Sequence, residues 1–211
     1  MHPANDTEDG MISDRMAIDV ALLLPEEIRA RAEALHSTLR EQRPDGFRFD
    51  ETHHPHISLA QQFVRQARLP ALIERVDSVL RGLSPLSLRV LGVRPYASVT
   101  HFLLERAPEL VKLHETLMQA VEPFEEPTGA AEAFYSQDDE PARPEDVDWV
   151  RQYRSHASYA NFVPHVTLGI GIVPESRETF AFTAHHVGLF HLGRFCTCRV
   201  LLRKWILEVE P

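Results

Sequence analysis

Apolar positions along the chain form two kinds of pattern, unbroken runs and stripes with a helical period. Residues 16–24 are an apolar run closed by Pro25, which predicts a buried strand. From Pro25 to residue 42 the apolar positions recur every three or four residues behind an acidic first turn, which predicts an amphipathic helix. Its stripe consists of Ile28, Ala32, Leu35 and Leu39.

The same patterns predict elements along the rest of the chain. Three further helices are expected to begin at Pro70, Pro108 and Pro144. Strands are expected over residues 53–64, 86–91, 99–105, 162–173, 180–192 and 196–208. Because helices and strands mix without the regular alternation of a doubly wound sheet, the sequence predicts an α+β fold with mainly antiparallel sheets.

Charge is concentrated in one segment of the 211-residue chain. The net charge is −9, and residues 122–148 alone hold ten acidic side chains and one basic one. The remainder is therefore neutral, so the acidity argues against a protein that coats long nucleic acid but not against a cleft that binds one phosphate. We interpret residues 122–148 as an acidic insertion or lid on a single domain over residues 16–211, preceded by a flexible tail at residues 1–15.

The two cysteines and the lack of long apolar runs indicate the cellular compartment in which the protein is expected. Cys196 and Cys198 are too close in sequence to bridge easily, so we expect reduced thiols in a cytoplasmic protein. No apolar stretch reaches the roughly 18 residues of a membrane span, so no membrane partner is expected.

One short pattern occurs twice. Pro55-His56-Ile57-Ser58-Leu59 recurs as Pro164-His165-Val166-Thr167-Leu168, 109 residues later. Both copies lie in predicted strands, where alternate side chains share a face. The histidine and the hydroxyl residue therefore face one way in each copy, and the apolar residues face the other. One such strand in each half of the chain predicts two lobes that face each other across a central cleft.

The paired residues suit phosphoryl chemistry. Histidine titrates near neutrality, so one of His56 and His165 can accept a proton while the other donates one. Ser58 and Thr167 can donate hydrogen bonds to phosphoryl oxygens, where negative charge grows in the transition state. Two such groups on opposite sides of phosphorus need neither a metal nor a cofactor. The pattern does not assign which histidine is the acid.

These motifs resemble those of the two-histidine (2H) phosphoesterase superfamily, which includes proteins named 2′-5′ RNA ligases and cyclic nucleotide phosphodiesterases. That family carries one His-x-[Ser/Thr]-hydrophobic motif in each lobe of a bilobal α+β fold, with helices on the outer faces of the sheets. The resemblance implies a catalytic pair, His56 and His165, and phosphate-binding hydroxyls, Ser58 and Thr167. It also implies a cyclic phosphodiesterase whose substrate is a small nucleotide or an RNA end with a 2′,3′-cyclic phosphate.

Three alternatives stay open. The cleft could capture a phosphorylated nucleotide or RNA end without turnover, or it could support an activity like that of a 2′-5′ RNA ligase. A metal-dependent hydrolase is the third, because His53 and His54 lie beside His56 and histidines are common zinc ligands. Against it, no Cys-x-x-Cys or His-Glu-x-x-His spacing occurs, so we expect no metal.

Other candidates have competing interpretations. His36 and His114 are expected on solvated helix faces. Tyr159 and Phe162, just before the second motif, either stack on a nucleobase or pack where a helix meets a strand.

Overall fold

The computed structural model describes residues 14–136 and 141–208. The strands are β1 Arg15–Leu23, β2 His56–Arg65, β3 Leu86–Tyr96, β4 Val99–Leu104, β5 His165–Ile170, β6 Phe180–Ala184, β7 His186–Gly193 and β8 Thr197–Ile206. The longer helices are α1 Glu26–Gln42, α2 Leu69–Leu80, α3 Pro108–Val121 and α4 Pro144–His156. The predicted tail at residues 1–15 falls almost wholly outside the described residues.

The strands form two four-stranded sheets in which every pairing is antiparallel. The first sheet has the order β2-β1-β7-β8, and the second has the order β5-β4-β3-β6. The predicted α+β class, with two antiparallel sheets surrounded by helices, is confirmed. Strands β2 and β5, which carry the two motifs, are edge strands of their sheets and contact each other. The cleft therefore lies between two sheet edges.

The prediction of one strand over residues 180–192 is wrong. The run divides at His185 into β6, which pairs with β3 in the second sheet, and β7, which pairs with β1 in the first. A continuous apolar run contains no signal for such a change of sheet, because both strands need the same residue types. This crossover connects the two sheets directly.

Helices from each half of the chain pack against the motif strand of the other half. Helix α1, which connects β1 to β2 of the first sheet, packs on β5 of the second. Helices α3 and α4, which connect β4 to β5, pack on β2. The apolar stripes expected for these helices are buried, for example Ile28 and Leu39 on α1 and Leu110 and Leu117 on α3. The main core thus joins both sheets and fixes their relative position.

The first sheet is covered on both faces. Ile18, Val20 and Leu22 of β1 point into the main core, whereas Ala17 and Ala21 point into a second apolar cluster. The described part of the acidic segment contributes Ala133, Phe134 and Ala142 to this second cluster. These three residues therefore pack on the same face of the first sheet as Ala17 and Ala21. Among the described residues, no helix has the length and apolar character needed to cross a membrane.

Candidate active site

The two motif strands share an irregularity at the same motif position. Val20 pairs with Ala60 and Ala21 pairs with Ser58, so Leu59 is an extra residue in β2. In the second sheet Leu168 is the extra residue, between Thr167 and Gly169. A β-bulge of this kind bends the strand and redirects the side chains around it. Each motif therefore ends at a bulge.

The alternation predicted for the motifs is seen in the burial of the side chains. The four apolar residues Ile57, Leu59, Val166 and Leu168 are fully buried in the main core. The histidines and hydroxyl residues of both motifs are partly exposed on the opposite face. The structure thus brings the four predicted site residues to the facing edges of the two sheets.

A backbone carbonyl two residues earlier orients each motif histidine. Nδ1 of His56 lies 2.7 Å from the carbonyl oxygen of His54, and Nδ1 of His165 lies 2.7 Å from that of Val163. A proline separates the two partners in each motif and restricts the residue before it to an extended conformation. Because a carbonyl only accepts, each Nδ1 carries hydrogen, and Nε2 is left for proton transfer.

Histidines on α1 and α3 form hydrogen bonds with the backbone at the two bulges. Nδ1 of His36 on α1 lies 2.7 Å from the carbonyl oxygen of Leu168, and Nδ1 of His114 on α3 lies 2.7 Å from that of Leu59. Each helix therefore braces the motif strand of the other half. The expectation that His36 and His114 are solvated is wrong, since their exposed fractions are 6% and 0%.

Both bracing rings are neutral. Nε2 of His36 accepts from the backbone N–H of Phe49, and Nε2 of His114 accepts from that of Tyr159. A ring that donates at one nitrogen and accepts at the other has no room for a second proton. Burial lowers the pKa of His36, and it lowers that of His114 to about 4. Phe162 stacks on His114 with centroids 3.9 Å apart and is buried, so it packs at this junction.

A buried carboxylate organises the first motif. Asp19 of β1 is fully buried, and its Oδ2 accepts hydrogen bonds from Ser58 at 2.6 Å and Gln61 at 2.8 Å. Nε2 of His56 lies 3.5 Å from the same oxygen, an ion-pair distance rather than a hydrogen bond. Trp149 of α4 donates to Gln61 at 2.9 Å and anchors this network. Ser58 thus directs its hydrogen to Asp19, and its predicted phosphate contact requires the hydroxyl to rotate.

The second motif has a histidine where the first has a carboxylate. His101 of β4 pairs with Thr167 in register, and its Nδ1 lies 3.4 Å from Oγ1 of Thr167. Its ring meets that of His165 edge-on, with centroids 4.7 Å apart. Burial, with the charge of His165 as a smaller cause, lowers the pKa of His101 to about 4. Its neutral ring lines the cleft beside the predicted phosphate position.

The two motif histidines have opposite electrostatic surroundings. Burial by itself lowers the pKa of His56, but the Asp19 carboxylate outweighs it and the net pKa is raised. For His165 burial is the main cause and the pKa is lowered, with the charge of His56 lowering it further. His56 therefore keeps its added proton to a higher pH than an ordinary histidine does, and His165 loses its added proton at a lower pH.

One set of side chains has the donor types of a metal site. Among the described residues, donor atoms of Asp19, His56 and Cys198 lie within 4.8 Å of one another. This set fits a metal poorly, because Oδ2 of Asp19 already accepts from Ser58 and Gln61 and burial raises the pKa of the Cys198 thiol well above its ordinary value. A buried thiol that keeps its proton is a weak ligand.

Asp19, His101, His36 and His114 are the site residues that sequence reasoning missed. Asp19 lies within the apolar run 16–24, and a lone acid in a buried strand was the available signal. The histidines carried no local signal, because their partners are 55 to 132 residues away in the chain.

Comparison with known proteins identifies a family and similar folds. A family model described as the 2′-5′ RNA ligase superfamily matches residues 24–187. The fold resembles the crystal structure of TT0787 of Thermus thermophilus, with a TM-score of 0.65 and 20% identity over 93% of this chain and 100% of that one. It also resembles E. coli LigT complexed with 3′-AMP, with a TM-score of 0.53 and 18% identity over 92% of this chain and 98% of that one. A comparison with curated protein sequences gives no significant match.

Proposed function

The chain belongs to the 2′-5′ RNA ligase superfamily, and from this premise we propose that it is a metal-independent phosphodiesterase that hydrolyses a 2′,3′-cyclic phosphate on a nucleotide or RNA end. The observation that carries the proposal is the pair of matching histidines with oppositely shifted pKa values on facing sheet edges. Crystals of E. coli LigT hold 3′-AMP in one case and phosphate in another, which supports a substrate of this class. The unbridged cysteines support a cytoplasmic location.

The opposite pKa shifts of the two histidines support one assignment of the acid and the base. Neutral His165 accepts a proton at Nε2 from the attacking water, whose oxygen forms the new bond to phosphorus. His56 donates its Nε2 proton to the ribose oxygen as the P–O bond of the ring breaks. Thr167 donates to a non-bridging oxygen, and Ser58 joins it if its hydroxyl turns away from Asp19. The products are a phosphomonoester and a free hydroxyl, and one proton returns from His165 to His56 through solvent.

The rate enhancement that this site supplies fits an activated substrate. A well-placed proton-transfer group contributes about 10²–10⁴ in rate. Two such groups and a phosphate-binding hydroxyl suit a strained cyclic diester, whereas hydrolysis of an unactivated phosphomonoester needs far larger factors.

The test is turnover of a panel of nucleoside 2′,3′-cyclic phosphates, with products assigned by phosphorus NMR. We expect one regioisomer, full activity in the presence of a chelator, and a fall of about 10²–10⁴ in kcat for His56→Ala or His165→Ala. His156→Ala, an exposed histidine at the end of α4, is the matched control and should keep full activity. Wild-type rates in both catalytic variants would overturn the proposal.

The alternatives give different outcomes in the same assay. A binding module shows saturable binding of a nucleoside 2′- or 3′-phosphate and no product after long incubation. A ligase-like enzyme joins two RNA ends instead of releasing a phosphomonoester. A metal-dependent hydrolase loses its activity to the chelator.

A further inference from the structure

Hydrogen bonds link Gln61, Ser58 and Asp19 in a closed set beside His56. Gln61 of β2 is buried, and its Nε2 donates to Oδ2 of Asp19 at 2.8 Å and to Oγ of Ser58 at 3.0 Å. Ser58 donates to the same Oδ2 at 2.6 Å. Both amide hydrogens of Gln61 are therefore used within the set, and the Ser58 hydroxyl both accepts and donates.

Trp149 of α4 fixes the orientation of the Gln61 amide. The indole N–H only donates, and it lies 2.9 Å from Oε1 of Gln61. At the other end of the amide, the Asp19 carboxylate only accepts. An amide turned over would set its N–H group against the indole donor and its oxygen against the carboxylate. The contacts at both ends thus hold the N–H groups of Gln61 toward Asp19.

Gln61 and Ser58 together fill the acceptor sites on Oδ2 of Asp19. An ionised carboxylate has about four lone-pair sites, which is about two on each oxygen. Both bonds fall on Oδ2, and Oδ1 is buried without a hydrogen-bond partner among the described residues. Nε2 of His56 lies 3.5 Å from Oδ2. His56 is therefore attracted by the charge of Asp19 but finds no vacant site for a hydrogen bond.

This competition matters for a group that has to release its proton. A hydrogen bond between protonated His56 and Asp19 would join two charges, and such bonds are roughly twice as strong as neutral ones. We propose that Gln61 is a positioning residue of the site, which occupies Oδ2 of Asp19 and so keeps the Nε2 proton of His56 free for the leaving ribose oxygen. The inference rests on the proposed function, because His56 is the proposed acid.

Gln61 acts on the titration of His56 through Asp19. Other titratable groups interact with His56 or Asp19, namely His54, Tyr153, His165, Cys196 and Cys198. Replacing Gln61 by methionine changes the charge of none of them. A changed titration of His56 in that variant therefore reports on the contact between His56 and Asp19.

The test combines an NMR titration of the His56 ring with steady-state kinetics on a nucleoside 2′,3′-cyclic phosphate in Gln61→Met. Methionine is unbranched like glutamine and has no N–H donor. With a site on Oδ2 vacated, His56 should bond to Asp19, and the pKa of His56 should rise further. We expect kcat to fall about tenfold because the proton is held more tightly. KM should change little, since Gln61 acts on the acid and not on the substrate.

Gln62→Met is the matched control. Gln62 is the next residue of β2, is also buried, and donates to the carbonyl oxygen of Val121 at 2.9 Å instead of to Asp19. This variant should leave both the His56 titration and kcat unchanged. Trp149→Phe removes the donor to Gln61 at a side chain that is 44% exposed. It should give a smaller change in the same direction as Gln61→Met, and it carries the test if Gln61→Met misfolds.

A His56 titration that is unchanged or moves to lower pH in Gln61→Met would overturn the inference, because Gln61 would then not compete for Oδ2. An undiminished kcat would overturn it as well. Turnover is scored separately in the wild-type protein. Turnover with an unresponsive His56 overturns this inference and leaves the proposed function standing. A raised His56 pKa in the variant without turnover in the wild-type protein overturns the proposed function and leaves the competition for Oδ2 standing.

Discussion

The carboxylate of Asp19 lies 3.5 Å from Nε2 of His56. On the other side of the cleft, His165 lies against the neutral ring of His101. The two halves match in their motifs, bulges and bracing histidines, but their motif histidines have different neighbours. A site built from two equivalent histidines needs such a difference, because in-line displacement requires one proton donor and one acceptor at the same pH.

The first prediction concerns the pH dependence of kcat/KM. Activity requires His165 without its extra proton and His56 with one, so the profile should be bell-shaped. The apparent pKa of the acid limb should lie below the ordinary histidine pKa of about 6.5, and the apparent pKa of the basic limb should lie above it. Asp19→Asn should move the basic limb to lower pH, because His56 then loses its proton earlier, and leave the acid limb in place.

A proton NMR titration of the His56 ring in the same variant gives a readout independent of turnover. Asp77→Asn, an exposed carboxylate on α2, is the control and should change neither limb. A basic limb that does not respond to Asp19→Asn would contradict the assignment of His56 as the acid.

The second prediction separates the two motif hydroxyls. Thr167→Ala should lower kcat/KM by about 10²–10³, as loss of a transition-state donor does, and Thr167→Ser should restore most of it. Ser58→Ala should cost less, since Ser58 already directs its hydrogen to Asp19. Steady-state kinetics on one cyclic phosphate measures all three. A larger loss in Ser58→Ala would show that Ser58 rotates to bind phosphate.

The third prediction concerns His101. Its ring packs edge-on against that of His165, and burial is the main cause of the lowered pKa of His165. His101→Ala should admit water and raise the pKa of His165, which moves the acid limb of kcat/KM to higher pH. His191→Ala changes a partly buried histidine outside the cleft, bound to the carbonyl of Ala133, and should leave the limb unchanged. An unshifted acid limb in His101→Ala would remove His101 from this role.

Local pattern and long-range pairing explain which parts of the site were predictable. His56 and Ser58 share one strand, so alternation alone places them on one face, and the same holds for His165 and Thr167. Asp19 reaches Ser58 only through the bulged register of β1 and β2, which no sequence period encodes. The helices were predictable from their stripes, but not their exchange between halves, because an apolar stripe does not specify which sheet buries it.

The last prediction is that the bracing histidines make folding stability depend on pH. The folded pKa of His114 is about 4, whereas an unfolded histidine titrates near 6.5. Between these values the unfolded chain binds one more proton, so the free energy of unfolding should fall on acidification by about 3 kcal/mol from this residue alone. His114→Gln should be less stable at pH 7 by about 2–4 kcal/mol, because Leu59 and Tyr159 lose a buried partner, but its stability should depend less on pH between 6.5 and 4. Urea unfolding across this range measures both effects, with His156→Ala as the exposed control. If the two proteins lose stability in parallel on acidification, His114 is not the group that titrates.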